Sequence, residues 1–266
     1  MPKTILVTGA ANGLGRVMAE AALAKGHQVL AMDLPGEEAA LASLAAAHPG
    51  AVATQHGDIT NLAQCEAAVA ACLSRFGRLD VLLNNAGLGM GSIYGENPPP
   101  PFWQIPEASW TRLVDVNLNG TFRMTRSAIP AMIEQGGGGI ITVTTSYFTM
   151  LNPGFSPYGP SKVALEASTV MWAAELAPHH ITANVLVPGG ATNTRFVPQR
   201  TAPDRSKLIQ PEVMVAPLQW LLSESAAGVT AQRIVGRDWN PALPVAEALA
   251  TAMRPAGFIP TISGPR

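Results

Sequence analysis

The chain has 266 residues, of which 47% are hydrophobic and 13% charged, with a formal net charge of -1. That is ample material for a large core, and it removes the electrostatic case for a nucleic-acid partner. No apolar run is long enough to span a bilayer, so a membrane role is excluded as well and a cytoplasmic protein is expected.

The run Ile5-Leu6-Val7 predicts a strand that stops in Thr8-Gly9-Ala10-Ala11-Asn12-Gly13-Leu14-Gly15 and restarts as a helix to about Lys25, with Gly26 as its stop. Three closely spaced glycines at a helix start leave backbone N–H groups facing outward at the positive end of the dipole, which suits a pyrophosphate. Taken alone, the octet also fits a glycine turn between any strand and helix. The next apolar run, His27 to Met32, ends in Asp33, about 20 residues past the glycines, where a carboxylate can accept hydrogen bonds from an adenosine ribose. A second helix is predicted from about Glu37 to Ala47, closed by His48-Pro49-Gly50, and a third strand from Ala51 to His56, ending in Gly57-Asp58-Ile59. Asn61 can cap a helix whose Leu62, Cys65, Val69, Cys72, Leu73 and Phe76 form one stripe.

This alternation predicts an α/β protein, a Rossmann-type doubly wound parallel sheet with helices on both faces, and one domain over residues 1–266. Cys65 and Cys72 lie roughly 10 Å apart along their helix, beyond disulfide reach, and read as small core residues. The five histidines include no pair at helical ligand spacing, so no metal site is expected.

A fourth strand, Asp80 to Leu83, runs into Asn84-Asn85-Ala86-Gly87. With Thr8, Gly9, Gly13 and Gly15 in the pattern T-G-x-x-x-G-x-G, the chain resembles the short-chain dehydrogenase/reductase family in its common single-domain type, over roughly residues 3 to 239. The resemblance implies a nicotinamide dinucleotide cleft lined by Gly9, Asn12, Gly13, Leu14 and Gly15, by Asp33, and by Asn85, Ala86 and Gly87. It also places Asp58 near the adenine by its side chain and Ile59 by its backbone.

The connection from Leu88 to Ile105, with Pro98 to Pro101, is longer than the family suggests. It reads either as a substrate-side flap or as a surface excursion or subunit contact. One helix is expected from near Glu107 or Ser109 through Ile129 to the glycines at 136–139. Its segment Asp115-Val116-Asn117-Leu118-Asn119-Gly120 resembles the family's helix whose asparagine belongs to the active site, so Asn117 is a candidate. A fifth strand, Gly139 to Thr145, precedes Tyr158-Gly159-Pro160-Ser161-Lys162, which opens a helix to about Ala177 with Pro160 harmless in its first turn. Tyr158 and Lys162, four apart, share a helix face and match the family's Y-x-x-x-K pair.

Strand six, Ile181 to Val187, ends in Pro188-Gly189, which the resemblance puts beside the nicotinamide. The family's threonine five residues after that proline is Asn193 here, with Thr194 one later; Gly190 reads as the extra residue that absorbs the offset, and Thr192 and Thr194 are the cofactor candidates. The following loop, with Arg195, Arg200, Arg205 and Lys207, reads as a mobile, solvated lid, the alternative being that Arg195 meets an anionic substrate group. Pro211 to Ser223 is expected as a helix and Arg233 to Val235 as a last strand, while the tail, residues 240–266, stays unassigned.

Hydride transfer needs the alcohol proton removed, or the carbonyl oxygen protonated, as the carbon–hydrogen bond changes. A free tyrosine is a poor base at neutral pH, so Lys162 is expected to favour the tyrosinate and make Tyr158 the acid/base. Counting back by the family's usual spacing puts the serine role on Thr145, ahead of its neighbour Ser146, and gives Asn117 a relay water. Asp33, followed by Leu34 and with no base at Asn12, favours NAD over the 2′-phosphorylated cofactor. Met90, Phe148, Met150, Leu151, Phe155, Thr192 and Phe196 suit an apolar ketone or secondary alcohol, though they could equally pack loops. The rival reading is an inactive NAD-binding sensor or scaffold, against which Tyr158 and Lys162 argue. Apolar residues on several helix faces, Val163, Leu165, Val170, Met171 and Trp172, predict a homo-oligomer, and the family implies a tetramer.

Overall fold

A computed structural model describes residues 1–257. It contains one eight-stranded sheet in the order β3-β2-β1-β4-β5-β6-β7-β8. The first seven strands are Thr4–Thr8 (β1), Gln28–Asp33 (β2), Val52–His56 (β3), Val81–Asn84 (β4), Gly138–Val143 (β5), Ile181–Val187 (β6) and Gln232–Val235 (β7). They pair in parallel, and β8, Met253–Pro255, adds an antiparallel edge to β7. The helices are Gly13–Leu23 (α1), Glu38–Ala47 (α2), Leu62–Phe76 (α3), Gly91–Tyr94 (α4), Glu107–Val114 (α5), Thr121–Glu134 (α6), Tyr147–Leu151 (α7), Tyr158–Leu176 (α8), Val215–Leu221 (α9) and Val245–Ala252 (α10).

Alternation along each strand divides the core into two layers. In β1, Ile5 and Val7 pack with Met18 of α1, Leu41 and Leu44 of α2 and Leu218 of α9. Leu6, between them, points the other way, toward Cys65 and Val69 of α3, Met124 of α6 and Ala173 of α8. Each fully buried leucine or valine of this kind contributes about 1.5–3 kcal/mol. The expected doubly wound sheet is therefore present, and both cysteines are free and buried in it. Burial pushes their thiols up, to about 11 for Cys65 and about 12 for Cys72, as expected for core residues. Among the described residues no helix is long and apolar enough to cross a membrane, and no cluster of metal-ligating side chains occurs.

Several expectations need correction. The predicted helix from 107 to the 136–139 glycines contains a π-helical turn, Asp115–Gly120, between α5 and α6. The fifth strand ends at Val143, so Thr144 and Thr145 lie beyond it. The 211–223 helix begins as a 3-10 turn, Pro211–Met214, and only then becomes α9. The tail supplies α10 and β8; its residues 258–266 lie outside the described residues.

The arginine-rich segment is solvated as expected, with Arg195, Arg200 and Lys207 exposed, and its arginines are also bonded within the chain. Arg195 forms an ion pair with Glu37, Arg200 donates to the Glu96 carbonyl at 2.6 Å, and Arg205 donates to the carbonyls of Val197 and Thr194 at 2.8 and 2.6 Å. The guanidinium of Arg195 is thus committed to a side chain of this chain, which removes the ground for giving it to a substrate anion.

Candidate active site

The strand order reverses at β1, which has β2 on one side and β4 on the other. A crevice outside the carboxyl ends at such a point is where α/β sheets bind ligands. The loop from β1 to α1 lies there, and its glycines answer to close approach. A Cβ on Gly15 would sit 2.0 Å from the Gly9 carbonyl oxygen and 2.5 Å from Asn85 Nδ2, so only glycine lets α1 start against this turn. Gly13 has φ +56°, and a Cβ there would meet the Thr194 methyl at 3.3 Å. Gly9 and Leu14 complete the turn, and Thr194 is the residue that reaches it. Asn193 instead donates its amide to Gln210 at 3.0 Å, and Thr192 is buried at the root of the lid in a bridge to Ile209.

Asp33 ends β2 beside this loop. Its Oδ2 accepts from the Ala11 amide and its Oδ1 from the Leu34 amide, both at 2.8 Å, which leaves a lone pair on each oxygen for hydroxyl donors. Asn12 donates to Glu37 at 2.8 Å. The Arg195 guanidinium and that amide hold the Glu37 carboxyl below its ordinary range. Asp58 accepts from the Thr60 amide at 2.8 Å, and the Ile59 side chain is buried against Gly120, leaving backbone as what Ile59 can offer a ligand.

Asn85 buttresses the glycine turn, its Nδ2 donating to the carbonyls of Thr8 and Gly9 at 3.0 Å each. The amides of Asn85 and Ala86 both donate to the Thr8 hydroxyl at 3.1 Å. Gly87 is the meeting point with the chemistry: a Cβ there would lie 3.1 Å from Asn117 Oδ1 and 3.6 Å from Lys162 Nζ. Asn117 stands in the π-helical turn, fully buried. Its Oδ1 accepts from the Leu88 amide at 2.7 Å, and its Nδ2 donates to the Leu88 carbonyl at 2.9 Å and to Ser161 Oγ at 3.2 Å. Those bonds spend one amide hydrogen on the chain after β4 and the other on Ser161 of α8, so the side-chain amide has no hydrogen left for the expected relay water.

Tyr158 and Lys162 open α8, both buried. The Thr145 hydroxyl lies close enough to the Tyr158 phenol to oppose its rise in pKa, whereas Ser146 caps α7 by accepting from the Thr149 amide at 3.2 Å. Lys162 Nζ donates to the Val143 carbonyl at 2.9 Å and lies 5.8 Å from the Tyr158 ring centroid.

The charge balance differs from the expectation that the lysine pulls the phenol down. Burial pushes Tyr158 up to about 12, against the lowering effect of the Thr145 hydroxyl, and burial pushes Lys162 down to about 8. The first proton to leave this buried pair therefore leaves near pH 8, and it belongs to the pair as a unit.

On the open side, the Phe196 ring lies 5.7 Å from the Tyr158 ring and against Gly89. Gly189, φ +99°, follows Pro188, whose carbonyl accepts from the Arg237 amide at 3.1 Å, at the end of β6. Sequence reasoning missed three features: the Glu37–Arg195 pair, the Phe196 contact, and a buried pair of Arg233 with Glu166 behind Thr145. Only an unusual Arg in a β-strand and a Glu on an apolar helix face hinted at the last.

Comparisons with known proteins agree with this geometry. The short chain dehydrogenase family profile matches residues 3–204. A 3-oxoacyl-(acyl-carrier-protein) reductase of Thermotoga maritima is 31% identical over 245 residues, 89% of this chain and 96% of its own. A 2-dehydro-3-deoxy-L-rhamnonate dehydrogenase (NAD(+)) of a Sphingomonas species is 32% identical over 185 residues, 69% of this chain and 70% of its own. The crystal structure of a Brucella melitensis 3-ketoacyl-(acyl-carrier-protein) reductase complexed with NADH superposes with a TM-score of 0.75 at 30% identity, covering 86% of this chain and 93% of that one.

Proposed function

The chain belongs to the short-chain dehydrogenase/reductase family of oxidoreductases, and we propose that it transfers a hydride between NAD(H) and a secondary alcohol or ketone of apolar character, with Tyr158 as the acid/base. The observation that carries the proposal is the buried pair of Tyr158 and Lys162 at the start of α8, one helical turn apart, with Gly87 beside Lys162.

The residues present fit a dinucleotide. The cradle at Gly13 and Gly15 admits no Cβ, and the amides of the α1 start suit a pyrophosphate with Thr194 above it. Asp33 would hold the adenosine ribose, Asp58 and Ile59 the adenine, and Asn85, Ala86, Gly87, Pro188, Gly189 and Thr192 the nicotinamide side. When bound, the nicotinamide accepts or donates the hydride. Asp33 puts a negative charge where a 2′-phosphate would lie, which supports NAD. NADH in the Brucella structure and NAD(+) in the name of the Sphingomonas relative point the same way.

Thr145 holds the substrate oxygen, and Tyr158 takes the proton from the alcohol oxygen or returns it to the carbonyl oxygen. Lys162, poised near 8, shares that proton with Tyr158 and offers its remaining hydrogens to ribose hydroxyls. The proton then passes from Lys162 to a water beside Asn117 and on to solvent, which restores the pair. Phe196, packed against Tyr158, gives the substrate side apolar surface.

Trp110, Phe122 and Met171 are exposed on α5, α6 and α8, which supports a homo-oligomer, proposed as a tetramer in the cytoplasm on the family resemblance, with sedimentation velocity at micromolar concentration as the check of oligomerisation. A monomer there would refute it. The activity itself is tested by a spectrophotometric screen of NAD and NADP reduction over secondary alcohols. Turnover with NAD is expected, and binding of NADH without turnover of any alcohol or ketone would favour the sensor reading.

A further inference from the structure

Behind the candidate site lies a charged cluster that the chemistry above does not use. Arg233 of β7 and Glu166 of α8 form an ion pair in which each side chain is 2% exposed. The same guanidinium donates through Nη2 to the Thr145 carbonyl at 2.8 Å and through Nη1 toward the Thr144 hydroxyl at 3.4 Å. Thr144 in turn donates to Glu166 at 2.7 Å, the Tyr147 ring lies 4.1 Å from the guanidinium carbon, and Glu166 Oε2 accepts from the Gly257 amide at 3.3 Å.

Two charges taken this far out of water contribute little net stability, so their geometry is the more telling feature. Thr145 has left β5 and lies outside any strand ladder, so the carbonyl–guanidinium bond fixes its backbone where regular pairing does not. Glu166 stands about two turns along the helix that begins with Tyr158. Arg233 therefore ties the turn bearing Thr145 to the helix bearing Tyr158, and the rigid planar fork of a guanidinium can serve both partners at once.

We infer that Arg233, held by Glu166, is a positioning residue that sets the Thr145 hydroxyl against Tyr158 for the shared substrate oxygen. This rests on the Thr145 and Tyr158 roles proposed above. Misplacing a reacting group by a fraction of an ångström is costly in rate while leaving cofactor binding alone.

Arg233→Met alone would strand a buried carboxylate, so the test uses Arg233→Met with Glu166→Met, which removes both charges and keeps volume. Arg233→Lys is the second variant: it keeps a cation for Glu166, but one ammonium does not span both partners. Thermal melts confirm folding, and kcat, KM and NADH affinity are measured in each. Both variants are expected to lose about tenfold or more in kcat, with NADH affinity within about twofold of the parent. In a Thr145→Val background, the charge-free pair is expected to add less than about twofold further loss, because Arg233 acts through Thr145. Parental kcat in the folded variants, or losses that multiply, would overturn the inference. If Thr145→Val leaves kcat unchanged while Tyr158→Phe abolishes it, the assigned role of Thr145 falls and the inference with it. If Tyr158→Phe is also active, the proposed function itself fails.

Discussion

Cofactor choice turns on the charge at the end of β2. Asp33 is half-buried, its two oxygens already oriented by the amides of Ala11 and Leu34 at 2.8 Å, so it cannot swing away from a ligand. Two unit charges about 4 Å apart repel by roughly 1 kcal/mol in water and roughly 4 kcal/mol at an effective dielectric constant near 20. A 2′-phosphate carries about 1.5 to 2 negative charges, so the penalty for NADP is at least about 1.5 kcal/mol, or roughly tenfold. Leu34 is 47% exposed, which leaves room for a guanidinium in its place. Steady-state kcat/KM with each cofactor should therefore favour NAD by about tenfold or more, and Asp33→Ser with Leu34→Arg should remove most of that preference or invert it. Equal use of both cofactors by the parent, or an unchanged ratio in the folded double variant, would refute the reasoning.

Thr145→Val, which keeps shape and loses the hydroxyl close to Tyr158, should lower kcat by about a hundredfold, whereas Ser146→Ala should lose only the α7 cap, about 1 kcal/mol of local stability. The reverse ranking at saturating NAD would move the role to Ser146. Alcohol oxidation requires the deprotonated pair, so its kcat/KM should rise as pH passes about 8, where burial has put Lys162, and ketone reduction should fall there. Lys162→Met should move that limb upward, toward the value of about 12 to which burial pushes Tyr158; a limb that stays put would remove Lys162 from the proton step.

Local pattern carried the sheet and both principal motifs. The glycine turn, the apolar β-branched strands and the Tyr158–Lys162 spacing each lie within a few residues, where the side-chain period and the turn chemistry act directly. What stayed hidden depends on distant partners. The π-helical turn at Asn117 lies inside an apolar stripe that reads as one continuous helix, and its Asn117 bonds Leu88, 29 residues earlier, a partner no local pattern reveals. Arg233 and Glu166 are 67 residues apart, and Glu37 and Arg195 are 158 apart. The edge strand Met253–Pro255 is too short, and ends in a residue too unfavourable to a ladder, to show a strand pattern. Burial set the pKa directions of Tyr158 and Lys162, and burial of a particular hydroxyl or ammonium is a property of the packed molecule.

The central claim is that the Tyr158 phenol moves the proton during hydride transfer to or from NAD. The most direct measurement is a pair of assays on Tyr158→Phe: NADH affinity by fluorescence titration, and kcat for the best alcohol found with the parent enzyme. The account predicts affinity within about threefold of the parent and a kcat lowered at least a hundredfold, because a general acid/base contributes about 10²-fold or more and the phenol oxygen does not hold the dinucleotide phosphates. A variant that binds NADH normally and retains more than about a tenth of the parental kcat would contradict it and assign the proton to another group.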